Sequence, residues 1–314
     1  MSDLAIVIVS WNVREFLCRC LRAVEASLAG SGITYELIVV DNQSADGTPA
    51  LLRAAFPHVR LIEAGANLGF AGGNNLALRQ LVTRDVAFAL LLNPDTEPVG
   101  DAIPRLVRFL QRHPDVVAVG PQLRYADGSV QSSRRRFPTR MTFFWESTPL
   151  DRLWPANPWA RRYRCADTPD EQAQPVDWLV GAALLVRSEA IREAGVLDER
   201  FFMYSEELEW EQRLGRTRNA VAAPIWYLPE AIVIHHEGKS SDQVPAQRHI
   251  HFNRSKILLA RMWYGWRFAA ALRAFLRLGF AGELVIEAAK ALLGHRPDLR
   301  RQRMAVYWQV LREL

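Results

Sequence analysis

Cysteine is scarce in this 314-residue chain, which has three: Cys18, Cys20 and Cys165. An odd number without paired metal-type spacing argues against a disulfide framework and a cysteine-built zinc site, and fits unpaired thiols in a reducing compartment. The N-terminal MSDLAIVIVSW has neither a basic leader nor a small-residue cleavage site, so its apolar run is expected to be a buried strand and the protein to be cytoplasmic. The longest apolar stretch near the C-terminus, FAAALRAFLRLGFAGELVIEAAKALLG, is interrupted by Arg273, Arg277, Glu283, Glu287 and Lys290, which argues against a membrane span. SWNVREF, after the first apolar run, holds no glycine, which speaks against the Gly-rich phosphate loop of a nucleotidyltransferase. Internal repeats and low-complexity tracts are also missing. What is present is a chain 49% hydrophobic and 23% charged, enough to bury a core as one large or two modest domains. Its net charge of +5 comes from 39 basic and 34 acidic residues, and only three of the basic ones are lysine. An arginine excess favours phosphate or an anionic surface without choosing among nucleotide, nucleic acid and lipid headgroup.

The runs LAIVIV (4–9), YELIVVD (35–41), VRLIE (59–63), VAFALLL (86–92) and VVAVG (116–120) are apolar and β-branched. Helix-length segments follow them at about 13–29, 48–56, 73–83 and 99–112. Strands buried on both faces and alternating with helices predict a doubly wound α/β sheet, mainly parallel, flanked by helices. Ligands of such sheets bind beyond the carboxyl ends of the strands, where Ser10-Trp11-Asn12, Asp41-Asn42-Gln43-Ser44, Asn67-Leu68-Gly69-Phe70 and Asn93-Pro94-Asp95 fall. Any one of these could simply end a strand or cap a helix; four together point to a site. Residues 134–177, with an arginine triplet and several prolines, form an irregular insertion. Beyond it, VDWLVGAALLV reads as a strand, SEAIREAG and SEELEWEQRLG as helices ended by glycine, and WYLPEAIVIHH as strand, turn, strand. The expected division is 1–244, with halves 1–120 and 121–244, followed by a helical extension over 245–314.

The ordered series IVIVSWN, ELIVVDNQSADGT, NLGFAGGNN, LLLNPDTEP, VDWLVGAALLVRSEAIREAGVLDERFFMYSEELEW and HHEGKS resembles inverting family 2 glycosyltransferases of GT-A fold. The rhamnosyltransferase-type branch, which builds bacterial surface polysaccharides, is the nearest likeness, over about Ala5 to Ser240. The resemblance implies a nucleotide-sugar donor, dTDP-rhamnose first and UDP- or GDP-sugars as alternatives, and a glycan or polyprenyl-linked acceptor. It implies a nucleotide site in which Asp41 accepts from the pyrimidine ring, Ser10 and Asn12 line the base, Asn67 lies near the ribose, and Asn93 stands where the family has the first acid of its D-x-D motif. Asp95 then becomes the chief ligand of a divalent cation, Mg²⁺ or Mn²⁺, with His235 and His236 as candidates for another ligand. Asn75, Gly72 and Gly73 fit either the site or a tight turn before a helix.

The same resemblance places Glu207 on the position of the catalytic base, with Glu206 as alternative, while Glu209 fits a helix-dipole role. Trp178 and Gly181 match a W-x-x-G-A segment near donor and acceptor sugars, although a tryptophan opening a strand is core at least as often. The basic, aromatic C-terminal helices suit either an anionic membrane surface, giving a location at its inner face, or packing against the catalytic domain or another subunit in a homo-oligomer. Nucleic acid is not an expected partner, because the acids at the strand ends would repel phosphate.

Overall fold

The computed structural model describes residues 3–217, 224–239 and 243–314. The chain forms two compact units: 1–137, 164–202 and 206–240 make one, and 138–163, 203–205 and 241–314 make the other. Residues 138–163, part of the segment expected as an insertion in the first domain, are grouped with the C-terminal helices.

The first unit opens with the alternation the sequence implies: β1 (Leu4–Ser10), α1 (Arg14–Leu28), β2 (Tyr35–Asp41), α2 (Thr48–Ala55), β3 (Arg60–Glu63), α3 (Gly69–Leu81) and β4 (Phe88–Leu92). It continues through β5 (Thr96–Pro98), α4 (Ala102–Arg112), β6 (Ala118–Arg124) and β7 (Arg134–Arg135). The second unit contributes α5 (Arg140–Trp145), α6 (Pro149–Leu153) and α7 (Pro158–Tyr163) before the chain returns as β8 (Gln174–Val176), β9 (Trp178–Leu179), β10 (Ala183–Arg187), α8 (Ser188–Ala194), α9 (Glu206–Leu214) and β11 (Ile225–His235). Last come α10 (Pro245–Tyr264), α11 (Trp266–Leu292) and α12 (Pro297–Glu313).

Among the described residues the main sheet runs β3-β2-β1-β4-β10-β6-β11-β5, with β8 also on β11. β1 pairs in parallel with β2 and β4, and β10 enters antiparallel between β4 and β6. Alternation along β1 decides the core: Leu4, Ile6 and Ile8 pack with α1 and α4 residues on one face, and Ala5 and Val7 with α3, α8 and α9 residues on the other.

Three expectations need correction. VDWLVGAALLV is not one strand; it is the end of β8, then β9 and β10, broken around Gly181. WYLPEAIVIHH belongs to a single strand, β11, whose register against β6 shifts between Leu228 and Ile232, so Pro229 sits at a bulge rather than a turn. Gly72 and Gly73 lie inside α3 rather than in a turn before it. A Cβ on Gly73 would stand 2.7 Å from Val9 Cγ1, so the glycine lets the helix approach β1.

Within the second unit, α5 meets the long helices through aromatic edges, Phe143 on Tyr264 at 5.9 Å and Phe144 on Phe275 at 5.2 Å. Lys256 Nζ donates to Glu146 O at 2.6 Å, and Arg300 pairs with the buried Glu287 at 2.8 Å, locking α12 to α11.

Candidate active site

Parallel pairing puts the ends of β1 and β2 side by side, so Ser10 is the register partner of Asp41. Both side chains are buried. Asp41 Oδ2 accepts from Ser44 N–H at 3.0 Å, whereas Oδ1, like Ser10 Oγ and Asn42 Oδ1, is buried with no hydrogen-bond partner. Three orphaned polar atoms at one sheet edge carry a desolvation cost that a ligand's donors would relieve. Asn12 has a positive φ of 54°, and its Oδ1 accepts from Ala45 N–H at 2.7 Å, so it shapes the loop after β2. Asn67 Oδ1 accepts from Gly69 N–H at 3.0 Å, while Asn42 Nδ2 donates to Gly69 O at 2.9 Å, which ties this edge to the start of α3.

The turn after β4 is fixed by backbone bonds. Asn93 N–H donates to Ala182 O at 2.9 Å, and Thr96 Oγ1 donates to Asn93 O at 2.7 Å. The turn presents Asp95, which is nearly buried. Burial alone would raise its pKa, but the His235 imidazole and the Lys239 N–H outweigh that and hold the carboxyl below its usual range, so it stays ionised. His235 Nε2 lies 3.4 Å from Asp95 Oδ1. On its other side, Gln131 Nε2 donates to Glu237 at 2.7 Å, turning Gln131 Oε1 to His235 Nδ1 at 2.9 Å. Gln131 therefore orients the ring and turns Nε2 toward the Asp95 carboxylate. An imidazole nitrogen and a carboxylate so placed fit a divalent cation, to which Nε2 would give its lone pair while phosphate and water supply the other ligands. No group of three or more such ligands occurs among the described residues, so these residues do not supply a complete cage. The His236 backbone N–H donates to Asp95 O at 3.0 Å, but its ring is directed elsewhere: Nε2 is 2.7 Å from Glu97 Oε1, and the ring packs near Phe16.

The third cluster stands on α9. Tyr204 and Ser205, at φ 71° and 68°, are consecutive non-glycine residues in the left-handed region just before the helix. Glu209 is committed to structure, pairing with Arg213 at 2.8 Å while Arg213 also donates to Val196 O. Glu206 is buried. Glu207 is partly buried with its Oε2 fully enclosed and without a hydrogen-bond partner. Burial pushes its carboxyl above the ordinary range, against nearby backbone N–H groups and the Arg135 charge. One turn on, Glu211 is fully buried, accepts from Leu179 N–H at 3.0 Å, and is raised further, first by burial and then by the charge of Glu207.

Gly181 joins the clusters. A Cβ there would lie 3.3 Å from Glu207 Cβ and 3.6 Å from Phe70 Cζ, and the neighbouring Ala182 holds Asn93. Asp41, Asn42, Gly69, Phe70, Gly181, Glu207, Asn93, Asp95 and His235 thus form one continuous set within the first unit. Trp178 is different. It is buried and donates from Nε1 to Arg136 O at 3.1 Å, so it supports the β9 strand instead of offering a face to solvent. Asn75 is also structural, bonded to Leu197 and Glu199. Gln131, Arg135 and Glu211 escaped sequence reasoning, and Asn42 was named there only as part of the strand-end segment Asp41–Ser44. Only Glu211 carried a local signal, its i+4 spacing from Glu207.

The model of a family described as glycosyl transferase family 2 matches residues 5–173. The chain belongs to that family. It is 35% identical, over 317 aligned positions covering 96% of each chain, to the N-acetylglucosaminyl-diphospho-decaprenol L-rhamnosyltransferase of Mycobacterium tuberculosis. Among solved structures this glycosyltransferase is similar to the mannosyltransferase PcManGT of Pyrobaculum calidifontis in complex with GDP-Man and Mn²⁺ (TM-score 0.55, 14% identity, 99% of this chain and 85% of that one). It is also similar to GalNAc-T7 with UDP, GalNAc and Mn²⁺ (TM-score 0.58, 12% identity, 83% and 48%). At such identities the likeness establishes the fold, a GT-A-like, mainly parallel sheet flanked by helices.

Proposed function

We propose that this glycosyltransferase moves rhamnose, with inversion, from a dTDP-linked donor to the sugar of a polyprenyl-diphosphate-linked glycan used in building the cell envelope. The observation that carries the reading is the likeness over nearly the full length of both chains to a relative named for rhamnosyl transfer to a lipid-linked acceptor.

The site residues supply the chemistry as follows. The unpartnered Asp41 Oδ1 accepts the imide N–H of a pyrimidine, beside Ser10 and Asn42. Asp95 and His235 hold a divalent cation, Mn²⁺ or Mg²⁺, which when bound neutralises charge on the donor diphosphate. Glu207 Oε2 takes the proton of the acceptor hydroxyl as that oxygen bonds to the anomeric carbon; on the opposite face the bond from the anomeric carbon to the diphosphate oxygen breaks, and the nucleoside diphosphate leaves with the electron pair. A raised pKa suits this task, because a carboxylate of ordinary acidity is too weak a base for a sugar hydroxyl. Gly181 leaves the space beside Glu207 that a Cβ would crowd, and Arg135 offsets its charge. A lipid-linked acceptor sets the reaction at the inner face of the cell membrane.

The test is calorimetric titration with dTDP, UDP and GDP, each with Mn²⁺, Mg²⁺ or chelator, followed by transfer from dTDP-rhamnose to a short-chain N-acetylglucosaminyl-diphospho-lipid. Metal-dependent binding of dTDP and rhamnosyl transfer are expected. Preference for UDP or GDP would replace the donor assignment and keep the catalytic one.

A further inference from the structure

The net charge of +5 hides an asymmetry between the two units. The second unit holds 17 basic and 7 acidic residues, a net +10, whereas the remainder holds 22 and 27, a net −5. The second unit also carries 11 of the 15 large hydrophobic residues exposed among the described residues. The most regular of these lie on α11. Ala271, Leu278, Val285 and Leu292 recur every seven residues and so share one face of the helix, about 30 Å long. That face is open: Leu278 is 73%, Val285 68% and Leu292 90% exposed. Arg267, exposed one turn before Ala271 on the same face, and Arg277, exposed beside Leu278 at the edge of the stripe, border it. No helix among the described residues is long and apolar enough to cross a membrane, so the stripe does not belong to a span.

An apolar seven-residue stripe can be covered by a second copy of the chain or by lipid. Charge separates the two. A second copy would bring another unit of net +10 against the first, and like charges oppose that contact, whereas an anionic bilayer attracts the arginines and buries the leucines. We propose that the exposed face of α11 is a docking surface for an anionic lipid bilayer, on which the helix lies flat with Leu278, Val285 and Leu292 among the acyl chains and Arg267 and Arg277 at the headgroups. This rests on the charge and exposure of the second unit and does not need the donor or acceptor assigned above.

The test is co-sedimentation of the full chain with phosphatidylcholine vesicles, with and without phosphatidylglycerol, in the absence of donor and acceptor. Anionic vesicles should bind the protein at least about tenfold more tightly than neutral ones, and added salt should weaken the binding. The triple variant Leu278→Ser, Val285→Ser, Leu292→Ser should lose about tenfold or more, with its circular dichroism and nucleotide binding unchanged. Arg267→Gln with Arg277→Gln should lose much of the preference for anionic lipid. A folded wild type that ignores anionic vesicles, or binds both kinds equally, would overturn the proposal. So would a concentration-dependent dimer in sedimentation velocity that the serine variant abolishes, since a second copy would then cover the stripe. Because the vesicle assay contains no sugar nucleotide, a wrong donor or acceptor leaves its result unaffected, and transfer to a water-soluble acceptor proceeds whether or not vesicles bind.

Discussion

Glu207→Gln separates chemistry from binding and from stability, because it keeps the side chain's size and removes only its ability to hold a proton. If Glu207 is the base, turnover should fall by roughly 10²–10⁴, or about 3–5 kcal/mol of activation free energy. Affinity for dTDP should stay the same, since the proposed nucleotide contacts are made at Asp41 and Asp95 and not at Glu207. Stability should move the other way. Burial raises the Glu207 carboxyl above its usual 4.5, so its contribution is fully present below pH 4.5 and is lost as pH rises through the folded-state value. Above that value the wild type must hold a buried charge that glutamine avoids, and the variant should be more stable by about 1.4 kcal/mol for each unit by which the pKa is raised. Urea denaturation as a function of pH measures this, calorimetry measures the affinity, and release of nucleoside diphosphate measures the rate. The wild-type rate should climb as pH passes the raised pKa. Near-normal turnover in Glu207→Gln would refute the assignment, and so would a rate loss matched by an equal loss of dTDP affinity.

Glu211→Gln should stabilise the protein at alkaline pH for the same reason, since the amide oxygen can still accept from Leu179 N–H while the buried charge is gone; an unchanged or lower urea midpoint there would show that the carboxylate itself is needed. Asp95→Ala should abolish the strengthening of nucleotide-diphosphate binding by Mn²⁺ or Mg²⁺, and a metal effect of wild-type size in calorimetry would remove Asp95 from the cation site. Gly69→Ala meets a harder obstacle. Its φ is +72°, and the new Cβ would stand 2.1 Å from Phe202 O, the acceptor of Phe70 N–H. The left-handed backbone and one lost hydrogen bond together cost about 2–3 kcal/mol, and a wild-type urea midpoint would contradict that packing.

β1, β2, β3, β4 and β6 were legible because each lies in an apolar run read residue by residue along the chain, whereas β5, Thr96–Pro98, has no such run. The strand ends therefore named Ser10, Asp41, Asn93 and Asp95 before any coordinates. The second half was less legible. One apolar run over 176–186 could not reveal that it serves three short strands, because a break at Gly181 depends on the partners those strands find: Arg134 and Arg135 for β9, and Phe88–Leu92 for β10. Trp178 reads equally as platform or core from its neighbours, and its bond to Arg136 O, 42 residues away, decides for support.

The sequence by itself determined the β1–β4 half of the sheet, the family likeness, the acids at the strand ends and the acidic start of α9, since these lie in local periodicity and in ordered motifs. Only the tertiary structure decided which of two adjacent histidines faces Asp95, because neighbouring residues on a strand point to opposite faces and Gln131, 104 residues from His235, fixes the ring. It also decided which oxygens at the sheet edge lack partners, that Glu211 lies buried one turn from Glu207, and that the arginine excess gathers on the helical unit. Burial and hydrogen bonding are set by neighbours in space, and the sequence states only neighbours along the chain.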